Sequence, residues 1–244
     1  MRMTSELQST LVDAASSPYR AADPFAWYFA CVKLRGDPIF ISLLEQGLIP
    51  SGVRLLDLGC GQGLLAAWLL AARAHAERGG WPTEMPQPPA LASIRGIELL
   101  PRNVERARRA LGSQASFTHG NICVTDFGEA DVIVMFDVLH YIDYEAQAKV
   151  LRRIHQALPP AGLLILRVGD AAGGLQFRIS YWFDRLVWLL RGVRNDRLYC
   201  RRLADWQHLL QANGFSVETV PIAQVAYTAN VLLVAKPVSV FLTK

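Results

Sequence analysis

The stretch LLDLGCGQG, residues 55–63, runs as an apolar strand through Asp57 and Leu58 into glycines at every second position, Gly59, Gly61 and Gly63. The pattern LLAAWLLAA follows at once and is apolar nearly all round, as a helix buried against a sheet would be. Glycines belong at such a turn for a physical reason. A chain that passes from strand to helix while pressing its backbone against a ligand needs positive φ and no Cβ. Turns of this kind stand at the carboxyl ends of parallel strands, where open α/β sheets bind their ligands.

Working outward, short apolar runs alternate with helical patterns, the signature of an α/β domain with a mostly parallel sheet. Strands are predicted over 53–58, 93–98, 115–118, 131–136 and 163–168, and two more over 215–221 and 228–234. Helices are predicted over 63–74, over 103–112 with Pro101 in the first turn and Gly112 as the cap, over 144–158, and over 203–212 capped by Asn213 and Gly214. VIVMF, residues 132–136, is the clearest strand, since an unbroken apolar run suits burial on both faces. The proline-rich run 78–90 is predicted to be an irregular surface insertion. Residues 1–50 are expected to form two or more aromatic-rich helices capping the domain of residues 51–244, and about 171–200 a helical insertion behind the fifth strand.

With 244 residues, 52% of them hydrophobic and 19% charged, the chain is too apolar to be disordered and long enough for a substantial core. Its first residues lack the apolar stretch of a signal peptide, and its longest apolar run, 63–72, is half a membrane span. A soluble, cytoplasmic protein is expected. Cys31, Cys60, Cys123 and Cys200 lie far apart, with no C-x-x-C pair and no His at ligand spacing, so free thiols and no metal site are expected. The net charge is only +4, yet residues 171–202 hold seven arginines against two aspartates.

The glycine spacing narrows the ligand. Dinucleotide sites use G-x-G-x-x-G, with the pyrophosphate on the helix N-terminus. Here the pattern is G-x-G-x-G, and Asp57 stands two residues before its first glycine. A carboxylate there repels a pyrophosphate and suits an ammonium group, such as the methionine end of S-adenosylmethionine. Glu98, closing the second strand, can accept from both hydroxyls of a ribose, because an ionised carboxylate offers only acceptors. With GIEL at 96–99, ADVIVMFDVLHYI at 130–142 and LPPAGLLILR at 158–167 in the same order, the chain resembles the class I S-adenosylmethionine-dependent methyltransferases over roughly residues 53–237. The resemblance implies a Rossmann-like seven-stranded, mostly parallel sheet with an antiparallel final hairpin and helices on both faces. It implies cofactor contacts at Asp57, Gly59, Cys60, Gly61, Gly63, Glu98, Leu99, Asn121, Ile122 and Asp137. Asn121 stands where such enzymes usually carry an acidic residue for the adenine amino group; its amide can accept from that group and donate to the neighbouring ring nitrogen.

Methyl transfer is a displacement at a carbon already activated by the sulfonium, so the protein supplies alignment and, for a protonated nucleophile, a base. His140 is the candidate base, with a reference pKa of about 6.5; the alternative is that it only packs against the methionine portion. Tyr141 either meets the acceptor or belongs to the core, and Asp170 is a second polar candidate. The aromatics of the insertion, among them Tyr181 and Trp182, suit a flat or apolar acceptor if they are not simply the core of a lid helix. The arginines from Arg191 to Arg202 suit an acidic acyl carrier protein, an anionic membrane surface or plain solvation, and no recognition module points to nucleic acid. RVGDAAGG and the stretch 197–215 are also similar to methyltransferases of bacterial aryl polyene clusters, which implies a carrier-bound hydroxyaryl polyene acceptor. A non-catalytic cofactor-binding partner protein and a nicotinamide-dependent reductase are the competing classes; the intact glycine loop opposes the first as a loss of binding, and Asp57 with its spacing opposes the second.

Overall fold

In a computed structural model, residues 2–172, 198–222 and 230–238 are described. The seven strands, β1 (Arg54–Leu58), β2 (Ser93–Glu98), β3 (Ser116–His119), β4 (Val132–Phe136), β5 (Leu163–Gly169), β6 (Phe215–Val220) and β7 (Asn230–Pro237), form one mixed sheet in the order β3-β2-β1-β4-β5-β7-β6, and the chain divides into two compact units, residues 1–125 and 126–244.

The first unit opens with four helices whose starts are written in the sequence. Thr4 caps α1 (Ser5–Ser16) by accepting from the Leu7 amide at 3.2 Å. After the short α2 (Tyr19–Ala22), Asp23 caps α3 (Pro24–Gly36) and Asp37 caps α4 (Pro38–Glu45), each with proline at the first helical position. Proline has no amide hydrogen to lose there, and the aspartate satisfies amides that the helix itself leaves unbonded. Then come β1 (Arg54–Leu58), α5 (Leu64–Glu77), β2 (Ser93–Glu98), α6 (Pro101–Leu111) and β3 (Ser116–His119), the three strands pairing in parallel. Gly112 ends α6 at φ +54°.

The proline-rich run carries no helix or strand, as expected, yet it is not a free surface loop: Trp81 and Met85 are buried, and the Trp81 indole donates to the Pro86 carbonyl at 3.0 Å. The two apolar side chains pin a segment that the prolines keep irregular.

The second unit holds β4 (Val132–Phe136), a 3-10 turn over Leu139–Tyr141, α7 (Tyr144–Ala157), β5 (Leu163–Gly169), α8 (Leu203–Ala212), β6 (Phe215–Val220) and β7 (Asn230–Pro237). β4 pairs with β5 in parallel, while β7 runs antiparallel to both β5 and β6. This is the antiparallel final hairpin that the resemblance implies. Val132 to Met135 are fully covered, as an unbroken apolar run should be. Tyr181, Trp182 and the arginines Arg178, Arg185, Arg191, Arg194 and Arg197 lie outside the described residues. Among the described residues no helix is long and apolar enough to cross a membrane.

Candidate functional site

The predicted site residues fall into two groups, one in each unit. In the first unit the glycine loop bears out its conformational demand: Gly59, Gly61 and Gly63 adopt φ of +78°, +56° and +81°. At Gly63 a Cβ would stand 2.8 Å from the Phe117 ring, so this glycine also makes room for β3. The loop is fastened to β2 by the Gly59 and Cys60 amides, which donate to the Ile97 carbonyl at 2.8 and 3.2 Å.

Glu98 closes the same arrangement. One of its carboxylate oxygens accepts from the Gly61 amide and the other from the Leu100 amide, both at 2.9 Å. Each oxygen keeps a further lone pair, so the clamp fixes the carboxylate's direction without exhausting it. Asp57 is 8% exposed, and burial, reinforced by the charge of Glu98, pushes its carboxyl up to about 7. The Cys60 thiol is raised by burial and by the same two carboxylates, which suits a small packing residue rather than a nucleophile. Leu99 is half exposed, Ile122 is buried and Asn121 is exposed. The Asn121 side-chain oxygen already accepts from the Cys123 amide at 2.9 Å, closing its own turn. That leaves its amino group the better placed to meet a ligand.

Sequence reasoning missed what holds this loop from the N-terminal side. Gln62, the residue between two of the glycines, is buried; its amide nitrogen donates to the Ala26 carbonyl at 2.7 Å and its own carbonyl accepts from the Tyr19 hydroxyl at 2.8 Å. The Trp68 indole donates to the Phe40 carbonyl at 2.8 Å. The N-terminal helices are thus bonded to the glycine loop and to α5.

In the second unit Asp137 is the one non-glycine residue with positive φ among the described residues, at +57°. Aspartate tolerates that region better than most residues. Its carboxylate is held by Arg167 of β5, whose Nε lies 3.0 Å from Oδ1 and whose terminal nitrogen reaches Oδ2. Arg167 is 3% exposed, and such a buried fork pairs the carboxylate with a fixed partner. No sequence signal singled out Arg167.

His140 lies in the 3-10 turn, 8% exposed, its ring centroid 4.1 Å from that of Tyr141. Burial lowers its pKa to about 4, against a smaller upward pull from Asp137. The reference value of 6.5 therefore does not hold here, because burial strips the imidazole of the water that would solvate its charged form. His140 is neutral at pH 7. Asp170 stands at the end of β5, and its Oδ1 accepts from the Ala172 and Leu203 amides at 2.9 and 3.0 Å. Instead of facing a ligand with that oxygen, it fastens the start of α8. Arg201, from the basic segment, lies 4.4 Å over the Tyr144 ring and bonds Gln147, so only Arg202 of the described arginines there is exposed. Among the described residues no cluster of His, Cys, Asp and Glu is arranged to hold a metal.

A family model described as a methyltransferase domain matches residues 35–220. Carboxy-S-adenosyl-L-methionine synthase of Chromohalobacter salexigens is 28% identical over 131 residues, covering 52% of this chain and 43% of that protein. The chain spans about half the length of the curated relatives it matches. Among solved structures, magnesium protoporphyrin IX methyltransferase from Synechocystis PCC 6803 with bound SAH superposes with a TM-score of 0.57 at 20% identity, over 95% of this chain and 98% of that one. An O-methyltransferase family protein from Burkholderia thailandensis gives 0.61 at 18% identity, over 90% and 62%. At these identities the likeness is one of fold.

Proposed function

Because the chain belongs to the methyltransferase-domain family, we propose that it is an S-adenosylmethionine-dependent methyltransferase acting on a hydroxyl or ring carbon of a small aromatic or polyketide-like acceptor. The observation that carries the reading is the pair of buried carboxylates, Asp57 and Glu98, built around a left-handed glycine loop. Two acidic groups beside the loop suit a ligand with an ammonium at one end and a ribose diol further along, and disfavour a pyrophosphate. Glu98 keeps acceptor capacity for the diol, and Asp57 offers its charge to the ammonium. S-adenosylmethionine supplies an activated methyl group.

On the acceptor side His140 is neutral at physiological pH. A base of pKa about 4 is weak, but a phenol becomes strongly acidic once its oxygen is alkylated, so it suffices for the proton released as the new bond forms. The Arg167 pair holds Asp137 in place. The basic segment ending at Arg202 favours delivery of the acceptor on an acidic acyl carrier protein, and the likeness to aryl polyene methyltransferases favours a hydroxyaryl polyene chain as the cargo.

Calorimetric titration with S-adenosylhomocysteine tests the cofactor half, with NAD and NADP as controls. Micromolar binding of the first alone is expected; a folded sample that binds none of them overturns the reading. Mass spectrometry after incubation with S-adenosylmethionine and hydroxyaryl acceptors then tests the transfer. The curated relatives favour one second reading, in which S-adenosylmethionine is itself the molecule modified. A carboxylated cofactor, appearing in the spectra only when a carboxyl-donating carboxylic acid is added to the incubation, would select it.

A further inference from the structure

We propose that Gln147, buried beneath the turn that carries His140 and Tyr141, is a positioning residue that ties this turn to the segment 198–201 and thereby sets how the acceptor meets His140. The proposal rests on the acceptor-side role given to His140 above.

Gln147 sits in the first turns of α7 and is 0% exposed. A primary amide offers two donor hydrogens and one acceptor oxygen, and its burial is tolerable only when these are used. Here they all are. The nitrogen lies 3.0 Å from the Leu139 carbonyl, 3.2 Å from that of Ile142 and 2.8 Å from that of Tyr199, while the oxygen accepts from Arg201 Nε at 2.7 Å. Leu139 and Ile142 bracket His140 on both sides. The His140 carbonyl between them accepts from the Tyr199 amide at 2.8 Å, so the carbonyls of Leu139, His140 and Ile142 are fixed by Gln147 or by the strip it holds.

The strip is itself braced from above. The Tyr144 hydroxyl donates to the Cys200 carbonyl at 3.2 Å, its ring meets Tyr199 edge-on at 5.3 Å, and Arg201 lies over it. An apolar side chain of equal length would fill the same space. What the amide adds is a fixed register between two irregular stretches that share no helix or strand ladder. The burial that keeps His140 neutral follows from that register; Asp137 acts on its charge and the Tyr141 ring lies 4.1 Å from its own.

Gln147→Met keeps the length and deletes all four bonds. Two readouts are taken: the titration midpoint of the His140 ring by proton–carbon NMR on histidine-labelled protein without ligands, assigned with His140→Gln, and acceptor KM beside the calorimetric Kd for S-adenosylhomocysteine. In Gln147→Met the His140 midpoint is expected to rise by about one pKa unit or more as water enters. Acceptor kcat/KM is expected to fall about 10- to 100-fold, as misplacement by an ångström would do, with the Kd unchanged within about twofold. Arg201→Met, at a half-exposed position, should move both readouts the same way by less, and it decides the matter if Gln147→Met does not fold. Ile154→Ala, a core truncation on the same helix, should lower thermal stability but leave both readouts alone. The proposal is overturned if Gln147→Met and Arg201→Met titrate like wild type, or if Ile154→Ala moves the readouts equally. If the wild-type protein methylates no acceptor, the functional reading fails, while the His140 midpoint, which needs no substrate, still decides the role of Gln147.

Discussion

Asp57 is where a single residue's chemistry controls recognition. A carboxyl raised to about 7 is half protonated at neutral pH, and a protonated Asp57 has no charge to offer an ammonium. Affinity for S-adenosylhomocysteine should therefore climb as pH rises from 6 to 8, with proton release measurable by calorimetry in buffers of different ionisation enthalpy. Flat affinity across that range would contradict it. The sign for stability is the reverse. Because the folded state holds this proton more tightly than the unfolded chain, Asp57 favours folding most at low pH. That advantage fades between about pH 4 and pH 7, leaving an ionised, buried carboxylate above. Asp57→Asn should thus melt several degrees higher than wild type at pH 8 and equally at pH 3.5, while losing cofactor affinity; each pKa unit is worth about 1.4 kcal/mol. His140 acts over another range. With a pKa of about 4 it is available as a base at every pH above that value, so the acid limb of kcat should fall near 4. His140→Ala should lower kcat about 100-fold with Kd for S-adenosylhomocysteine unchanged; a loss confined to affinity would mean that it only packs.

At the scale of elements the loop between β1 and α5 is the most legible part of the chain, since three alternate glycines after an apolar strand fit little besides a backbone turn pressed against a ligand. Its demand is graded. Gly63→Ala forces a side chain into both a left-handed backbone and the Phe117 ring, whereas Gly52→Ala faces only the backbone, at φ +79° with open space around it. The second should cost about 1–2 kcal/mol, and the first clearly more, with cofactor affinity lost as well; equal melting temperatures for the two variants would show that the contact with β3 carries nothing. Strand and helix positions are also readable, because periodicity and caps are local, and β2, α6 and α8 lie close to where the sequence puts them. What is not readable is the second half of each contact. Gln62 meets Tyr19 across 43 residues, Arg167 meets Asp137 across 30, and Arg201 meets Gln147 across 54. No local pattern marks which polar residues will be buried together, so Arg167, Gln62 and Gln147 carry no signal in the sequence, while Asp170, a polar candidate by its place after the fifth strand, gives one of its oxygens to the backbone.

Across the first unit as a whole, the N-terminal helices do more than the sequence could disclose. Their aromatic content suggests a cap, but composition cannot say what is capped. Trp68 of α5 is fully buried, with Phe40 edge-on at 6.1 Å and accepting its indole hydrogen on the backbone. Tyr19, also fully buried, reaches the glycine loop through Gln62. Burial drives the Tyr19 hydroxyl far above its ordinary range, so it remains a donor at any working pH. The cover and the loop therefore form one cooperative body, in which loosening a helix should loosen recognition. Trp68→Ala should cost about 3–5 kcal/mol through the cavity it leaves. Tyr19→Phe removes one hydroxyl and strands one loop carbonyl, at about 1–3 kcal/mol, and should weaken S-adenosylhomocysteine binding although Tyr19 is not among the predicted cofactor residues. Calorimetry on Tyr19→Phe at pH 8, where Asp57 is ionised, separates this from the protonation of Asp57. Affinity equal to wild type would mean that the loop holds its left-handed path by its glycines and Glu98 alone.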